Sequence, residues 1–318
     1  MKGIWKAIAY FVLYFGLTMI LQVLLSIVFC AIGAANGLHD ETLIMEFANN
    51  NILGMTVISG ILTVLILYFV FKLRKKQVKK EWKLNHFKVN NVVLASLITF
   101  SFSFLFALCT YNVSMENSLM ILKSVGFYNE VIPLFGTIMM VVNLLAIAPI
   151  SEEIALRGIV YSSVEKTTNA VTAIIVSSIL FGLMHLMAGG IVLAVGAALM
   201  AFVFGYIFYK FKSLWVCTIA HAVANLPDFI LYNKPDISGG IFWGLVIFFV
   251  CVFIMGVCAI QKTTQRDNYR DYNRFPMRPL GWKFPKDTLH DFIKYGATYV
   301  LQTNNPVKLL SRNALQSV

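Results

Sequence analysis

The chain has 318 residues, 58% of them hydrophobic and 13% charged, with a mean hydropathy of +0.75 and a net charge of +11. So apolar a makeup exceeds that of soluble domains and places the chain among multi-pass membrane proteins. The basic residues cluster beside apolar runs, the pattern of loops facing anionic lipid, so membrane lipid is expected as a partner and nucleic acid is excluded.

Taken in order, about eight apolar segments are long enough to cross a bilayer as helices, at roughly 7–32, 52–73, 91–111, 132–150, 170–188, 191–209, 214–232 and 241–260. The first follows Lys2 and Lys6 and is too long for the core of a signal peptide, so it reads as a span that stays attached. Between the second and third lies 72–88, with Lys72, Arg74, Lys75, Lys76, Lys79, Lys80, Lys83 and Lys88 against the single acid Glu81. The positive-inside rule makes that loop cytoplasmic, and alternation then places both termini inside. Loops at Asp40-Glu41, Glu116 and 228–236 fall outside, while Arg157 to Lys166 and Lys210 with Lys212 fall inside. The expected fold is all-α, a polytopic bundle of about eight transmembrane helices. The expected parts are 1–129 (three spans and the basic loop), a core over 130–232, a last span over 233–260 and a basic tail over 261–318, read as poorly ordered. Cys30, Cys109, Cys217, Cys251 and Cys258 lie in or at the ends of apolar runs without C-x-x-C spacing and read as small buried hydrophobes.

The fourth segment carries Pro149-Ile150-Ser151-Glu152-Glu153, then Arg157. A helix over 138–166 would be roughly 43 Å long, which draws both glutamates into the membrane, with a kink expected at Pro149. Ionisable groups there are costly unless paired, so they mark a functional site. Glu153 and Arg157 are one helical turn apart and form a pair, whereas Glu152 points about 100° away and is left for other work. His185 and His221 lie inside later spans. Phe181 shares a face with His185, Gly182 lets another backbone approach, and His221 and Asn225 stack one turn apart.

Glu152, His185, His221 and Asn225 together supply what amide hydrolysis needs: a carboxylate to take a proton from water, an imidazole to orient it, and donors for the oxyanion. The same four side chains offer a donor set for zinc or another divalent metal with an open position for water. Both mechanisms stay open at this level. Counting from the cytoplasmic side puts His221 and His185 roughly 10 Å apart in depth; tilt, a re-entrant helix or a deeper start near Asn169 must absorb the difference.

In this order and spacing, Glu152-Glu153-x-x-x-Arg157, Phe181-x-x-x-His185 and His221-x-x-x-Asn225 resemble the three motifs of the CAAX protease and bacteriocin-processing (CPBP, or Abi) family of intramembrane proteases. Ser213-Leu214-Trp215 matches the usual approach to the third motif, although Lys212 stands where many members carry glycine. The resemblance covers about residues 130–230. It implies helices enclosing a cytoplasm-facing catalytic cavity and cleavage of a peptide or protein substrate, with a prenylated tail, a leader peptide and a pheromone or bacteriocin precursor all fitting. It also implies roles. Glu152 activates water, Glu153 pairs with Arg157, His185 assists the water, and His221 with Asn225 lines the oxyanion site or binds metal. Two rival readings are a non-catalytic bacteriocin-immunity or peptide-binding protein and a transporter. A binder has no need of this polar set, and a transporter should show inverted repeats, which are not visible.

Overall fold

The computed structural model describes residues 2–110, 134–231, 237 and 239–274. Expectations for the loop at Glu116, for 232–236 and for the tail beyond Arg274 lie outside the described residues. The chain divides into compact units Met1–Thr264 and Gln265–Val318. Of the second, the described part is a helical stretch ending at Arg274.

Within the first unit the architecture is all-α, with no strand among the described residues. Helix α1 spans Lys2–Ala35, α2 Glu41–Asn50, α3 Ile52–Leu73, the short α4 Val78–Glu81, and α5 Val89–Cys109. A continuous helical segment, α6, covers 134–165. After it come α7 (Ala170–Met187), α8 (Gly189–Phe211), α9 (Leu214–Ala224), α10 (Leu226–Leu231) and α11 (Gly239–Arg274). Among the described residues α1, α3, α5, α6, α7, α8 and α11 are long and apolar enough to cross a membrane, with α9 as a shorter apolar helix. The protein is a multi-pass membrane bundle. Ile20, Ile61, Val171, Leu183, Ile247 and Met255 point outward from the spans, as side chains do when the solvent is hydrocarbon. Helix α2 was not anticipated. Its signal is Asp40, whose carboxylate accepts from the Thr42 and Leu43 amides and caps the first turn.

Helix α6 runs through the centre, and every residue from Ile154 to Tyr161 is buried. Its backbone widens into π turns at Asn143–Ile147 and Ile154–Tyr161, which bracket the α-helical turn Ala148–Glu153. Pro149 accounts for the first. In an α-helix its ring would meet the carbonyl four residues back, at Leu145, and it has no N–H to donate. The helix absorbs the proline by widening, so the expected kink becomes a π turn. Ala148 N–H now reaches back to the Asn143 carbonyl. The Leu144 carbonyl has thereby lost its α-type donor, and Pro149 can supply no π-type one. That oxygen is taken up by the site described below.

Helices α7 and α8 are joined at Gly189-Gly190, where Gly190 adopts φ 67°, a conformation that favours glycine. The chain returns so closely that a Cβ on Gly182 would lie 2.7 Å from the Ala194 carbonyl oxygen and 2.8 Å from Ala198 Cβ. The close backbone approach read from Gly182 is therefore between α7 and α8. Backbone cannot yield cheaply there, so Gly182→Ala should destabilise the fold by about 1–3 kcal/mol. Thermal unfolding of the purified variant in detergent should show a lowered midpoint; a wild-type midpoint would mean that the two helices do not pack this tightly.

Candidate active site

Glu153 and Arg157 lie one turn apart on α6, both with 0% exposure. Arg157 Nη1 is 3.1 Å from Glu153 Oε1, an ion pair by distance though not an aligned hydrogen bond, while Nη2 donates to the Ala201 carbonyl on α8 at 3.1 Å. The guanidinium is sandwiched between two aromatic rings, 5.1 Å from Phe181 and 5.2 Å from Phe204. Such desolvated cation–π contacts are worth about 2 kcal/mol or more. The pair read from the i, i+4 spacing is therefore present, and it is buried.

Glu153 also reaches a second helix. His221 Nδ1 stands 2.9 Å from Glu153 Oε1, and the imidazole stacks on Phe204 with ring centroids 4.6 Å apart. An ionised carboxylate only accepts, so Nδ1 carries the proton and Nε2 faces the other way. There it meets Glu152, whose Oε2 is 3.8 Å from Nε2. The two adjacent glutamates thus contact opposite edges of one ring. Glu153 has no exposed side-chain surface and Glu152 retains 16%.

His185 donates from Nδ1 to the Phe181 carbonyl at 2.9 Å, since a carbonyl can only accept. Its ring lies 4.5 Å from that of Phe181, which is itself 5.9 Å from His221. Both imidazoles therefore flank Phe181, and in both the Nδ1 edge is occupied while Nε2 is turned elsewhere.

Asn225, at the C-terminal end of α9, donates from Nδ2 to the Leu144 carbonyl at 2.7 Å. This is the oxygen that Pro149 and the π turn released. Thr99 on α5 holds the same helix from the other side, donating to the Ala220 carbonyl at 2.8 Å. Helix α9 is thus positioned by hydrogen bonds through Asn225, His221 and Ala220.

Several participants were not read from the sequence. Phe204 looked like any other aromatic in an apolar span. Tyr14 on α1, buried, donates to Ser151 Oγ at a long 3.5 Å, next to Glu152, and Ser151 donates to the Ala148 carbonyl at 3.1 Å. Serine in Ser151-Glu152-Glu153 was visible, but its partner lay 137 residues away. Among the described residues no group of three or more His, Cys, Asp or Glu side chains converges to hold a metal ion.

Residues 134–227 match the family Type II CAAX prenyl endopeptidase Rce1-like. That segment contains Glu152, Glu153, Arg157, His185, His221 and Asn225, and so coincides with the resemblance carried by the three motifs. Over 89 residues the chain is also 30% identical to a Bacillus subtilis (strain 168) protein described as "Putative membrane peptidase YdiL". The aligned stretch is 28% of this chain and spans about a third (35%) of that relative's length. No solved structure matches.

Removing one partner of a fully buried ion pair leaves the other charge uncompensated, at a cost of about 3–5 kcal/mol. Arg157→Ala should therefore lower the yield of folded protein and its unfolding midpoint. Wild-type stability in that variant would show that Glu153 does not depend on Arg157.

Proposed function

We propose that this protein is an intramembrane endopeptidase that hydrolyses a peptide bond by glutamate-activated water, with the segment 130–232 as its catalytic core. The observation that carries the reading is the division of labour between the two glutamates: Glu153 is neutralised by Arg157 and orients His221, while Glu152 faces the free Nε2 edge of the same ring. At 3.8 Å the Glu152–His221 pair is too long for a hydrogen bond, and one water can touch both groups.

In the reaction Glu152 takes a proton from water as the oxygen adds to the scissile carbonyl carbon. Nε2 of His185, left unengaged by the bond from Nδ1 to Phe181, helps hold that water. Negative charge gathers on the former carbonyl oxygen, where the second N–H of the Asn225 amide can donate to it, while the unprotonated Nε2 of His221 accepts from the water. Glu152 then returns the proton to the leaving nitrogen, the C–N bond breaks, and the carboxylic acid formed passes its proton to the amine, leaving one carboxylate and one ammonium group.

The family match supports a peptide or protein substrate at the membrane, and we propose a prenylated tail, a leader peptide or a pheromone or bacteriocin precursor as its specific form. The basic turn 72–88 supports a cytoplasmic orientation for both termini and for the mouth of the site.

Glu152→Gln keeps the size of the side chain and removes the base. It should lower cleavage by roughly a hundredfold or more while leaving the unfolding midpoint near wild type. Comparing peptides from cells carrying wild-type or Glu152→Gln protein would identify the substrate; equal cleavage by the two proteins would overturn the mechanism. The metal-dependent alternative requires Glu152, His185, His221 and Asn225 to close on one ion, as in a zinc hydrolase. Elemental analysis of active, purified protein is expected to show far less than one metal per chain, and a stoichiometry near one would establish the alternative.

A further inference from the structure

The turn between α3 and α5 reads in the sequence as a basic cytoplasmic loop, and the structure builds it as a docked element. Trp82 is 3% exposed and Val78 8%, and Trp82 packs edge-on against Phe71 and Tyr68 with centroids 5.7 and 6.4 Å apart. Its backbone lies against Gly158 on α6, where an added Cβ would be 3.4 Å from Trp82 Cα. Glu81 pairs with Lys166, just beyond the end of α6, at 2.7 Å. On the other side Asn85 Nδ2 donates to the Lys212 carbonyl at 2.6 Å, Ser213 Oγ donates to the Asn85 carbonyl at 3.0 Å, and Leu214 N–H donates to the Lys83 carbonyl at 3.0 Å. Lys212 is held at φ 49°, and its ammonium pairs with Glu165. One turn thus clamps the end of α6, which carries Glu152 and Glu153, to the start of α9, which carries His221.

The other face of the turn points away from these contacts. Arg74, Lys75, Lys76, Lys79 and Lys80 are exposed. Lys75, Lys79 and Lys80 have no ion-pair partner among the described residues. Flanking them, at the adjoining ends of the candidate spans α3 and α5, Leu73 is 82%, Phe87 43% and Val89 71% exposed. Unpaired cations with apolar side chains beside them, at that depth, fit a phosphate-bearing headgroup with its acyl chains alongside.

We propose that this turn binds anionic phospholipid headgroups of the surrounding bilayer, and that the bound headgroup steadies the clamp between α6 and α9. Each lysine near an anionic surface contributes on the order of a fivefold gain in affinity, so several acting together set a clear preference over neutral lipid.

The test uses the purified full-length chain in neutral detergent, titrated with short-chain phosphatidylglycerol, with short-chain phosphatidylcholine, or with inorganic phosphate at matched ionic strength. Phosphatidylglycerol should raise the unfolding midpoint and slow backbone hydrogen exchange at 83–88 and at 212–225, while the other two should do neither. Substituting Lys75, Lys76, Lys79 and Lys80 together by Gln should weaken phosphatidylglycerol binding by roughly tenfold or more. The pair Lys75→Gln/Lys79→Gln, which leaves the backbone hydrogen bonds of both residues in place and removes no ion pair among the described residues, should weaken it less and decides the matter if the fourfold variant does not fold. Equal effects of phosphatidylcholine, reproduction of the effect by inorganic phosphate, a wild-type response in the Lys75→Gln/Lys79→Gln variant, or unchanged exchange at 212–225 would each overturn the proposal. No arm requires peptide cleavage, so failure here leaves the reading of Glu152 untouched.

Discussion

A carboxylate and a guanidinium with no exposed surface, Glu153 and Arg157, are the constraint around which the bundle is arranged. Burying two charges costs several kcal/mol per ion before their attraction returns any of it, and a well-packed apolar pair would often be at least as stable. Glu153 Oε2 even lacks a hydrogen-bond partner among the described residues. The pair is better understood by what it positions. Arg157 draws Phe181, Phe204 and the Ala201 carbonyl around itself, and so fixes α7 and α8 against α6. Glu153 then has a single oxygen, Oε1, with which to serve both Arg157 and His221. Stability spent on the pair becomes a defined ring orientation on a different helix.

The second constraint is backbone. Pro149 cannot donate, and the chain's response is to widen the helix by one residue instead of breaking it. The widening leaves the Leu144 carbonyl for Asn225, so the same proline that precedes the two glutamates also anchors the helix bearing His221. A bound from one segment to another, 81 residues away, follows from a missing N–H. In this way two local features of α6, an ion pair and a proline, account for both attachments of α9 to it.

Much of this was legible in the sequence, for physical reasons that differ between elements. Most of the spans could be read because a crossing helix needs about 20 apolar residues, but the segment expected at 214–232 is instead two shorter helices, α9 (Leu214–Ala224) and α10 (Leu226–Leu231). The Glu153–Arg157 pair followed from helical spacing alone. The sharing of Glu153 with His221 did not, because an i, i+4 rule describes one helix and His221 lies 68 residues on. The π turns were hidden behind an expected kink, since a proline in a helix has two remedies and hydropathy does not choose between them. Phe204 was invisible for a simpler reason: in a membrane span an aromatic ring that faces a guanidinium has the same surroundings in sequence as one that faces lipid. The basic turn was visible as charge, but its docking through Trp82 and Asn85 depends on partners in α6 and beside α9.

The claim on which the account turns is that Glu153, held by Arg157, fixes the His221 ring with Nδ1 protonated and Nε2 toward Glu152. Nitrogen NMR of imidazole-labelled protein, with His221 assigned by its loss in His221→Asn, tests it directly. A directly bonded proton is expected on His221 Nδ1, displaced or lost in Glu153→Gln. A ring protonated on Nε2 alone, or one indifferent to Glu153→Gln, would contradict it.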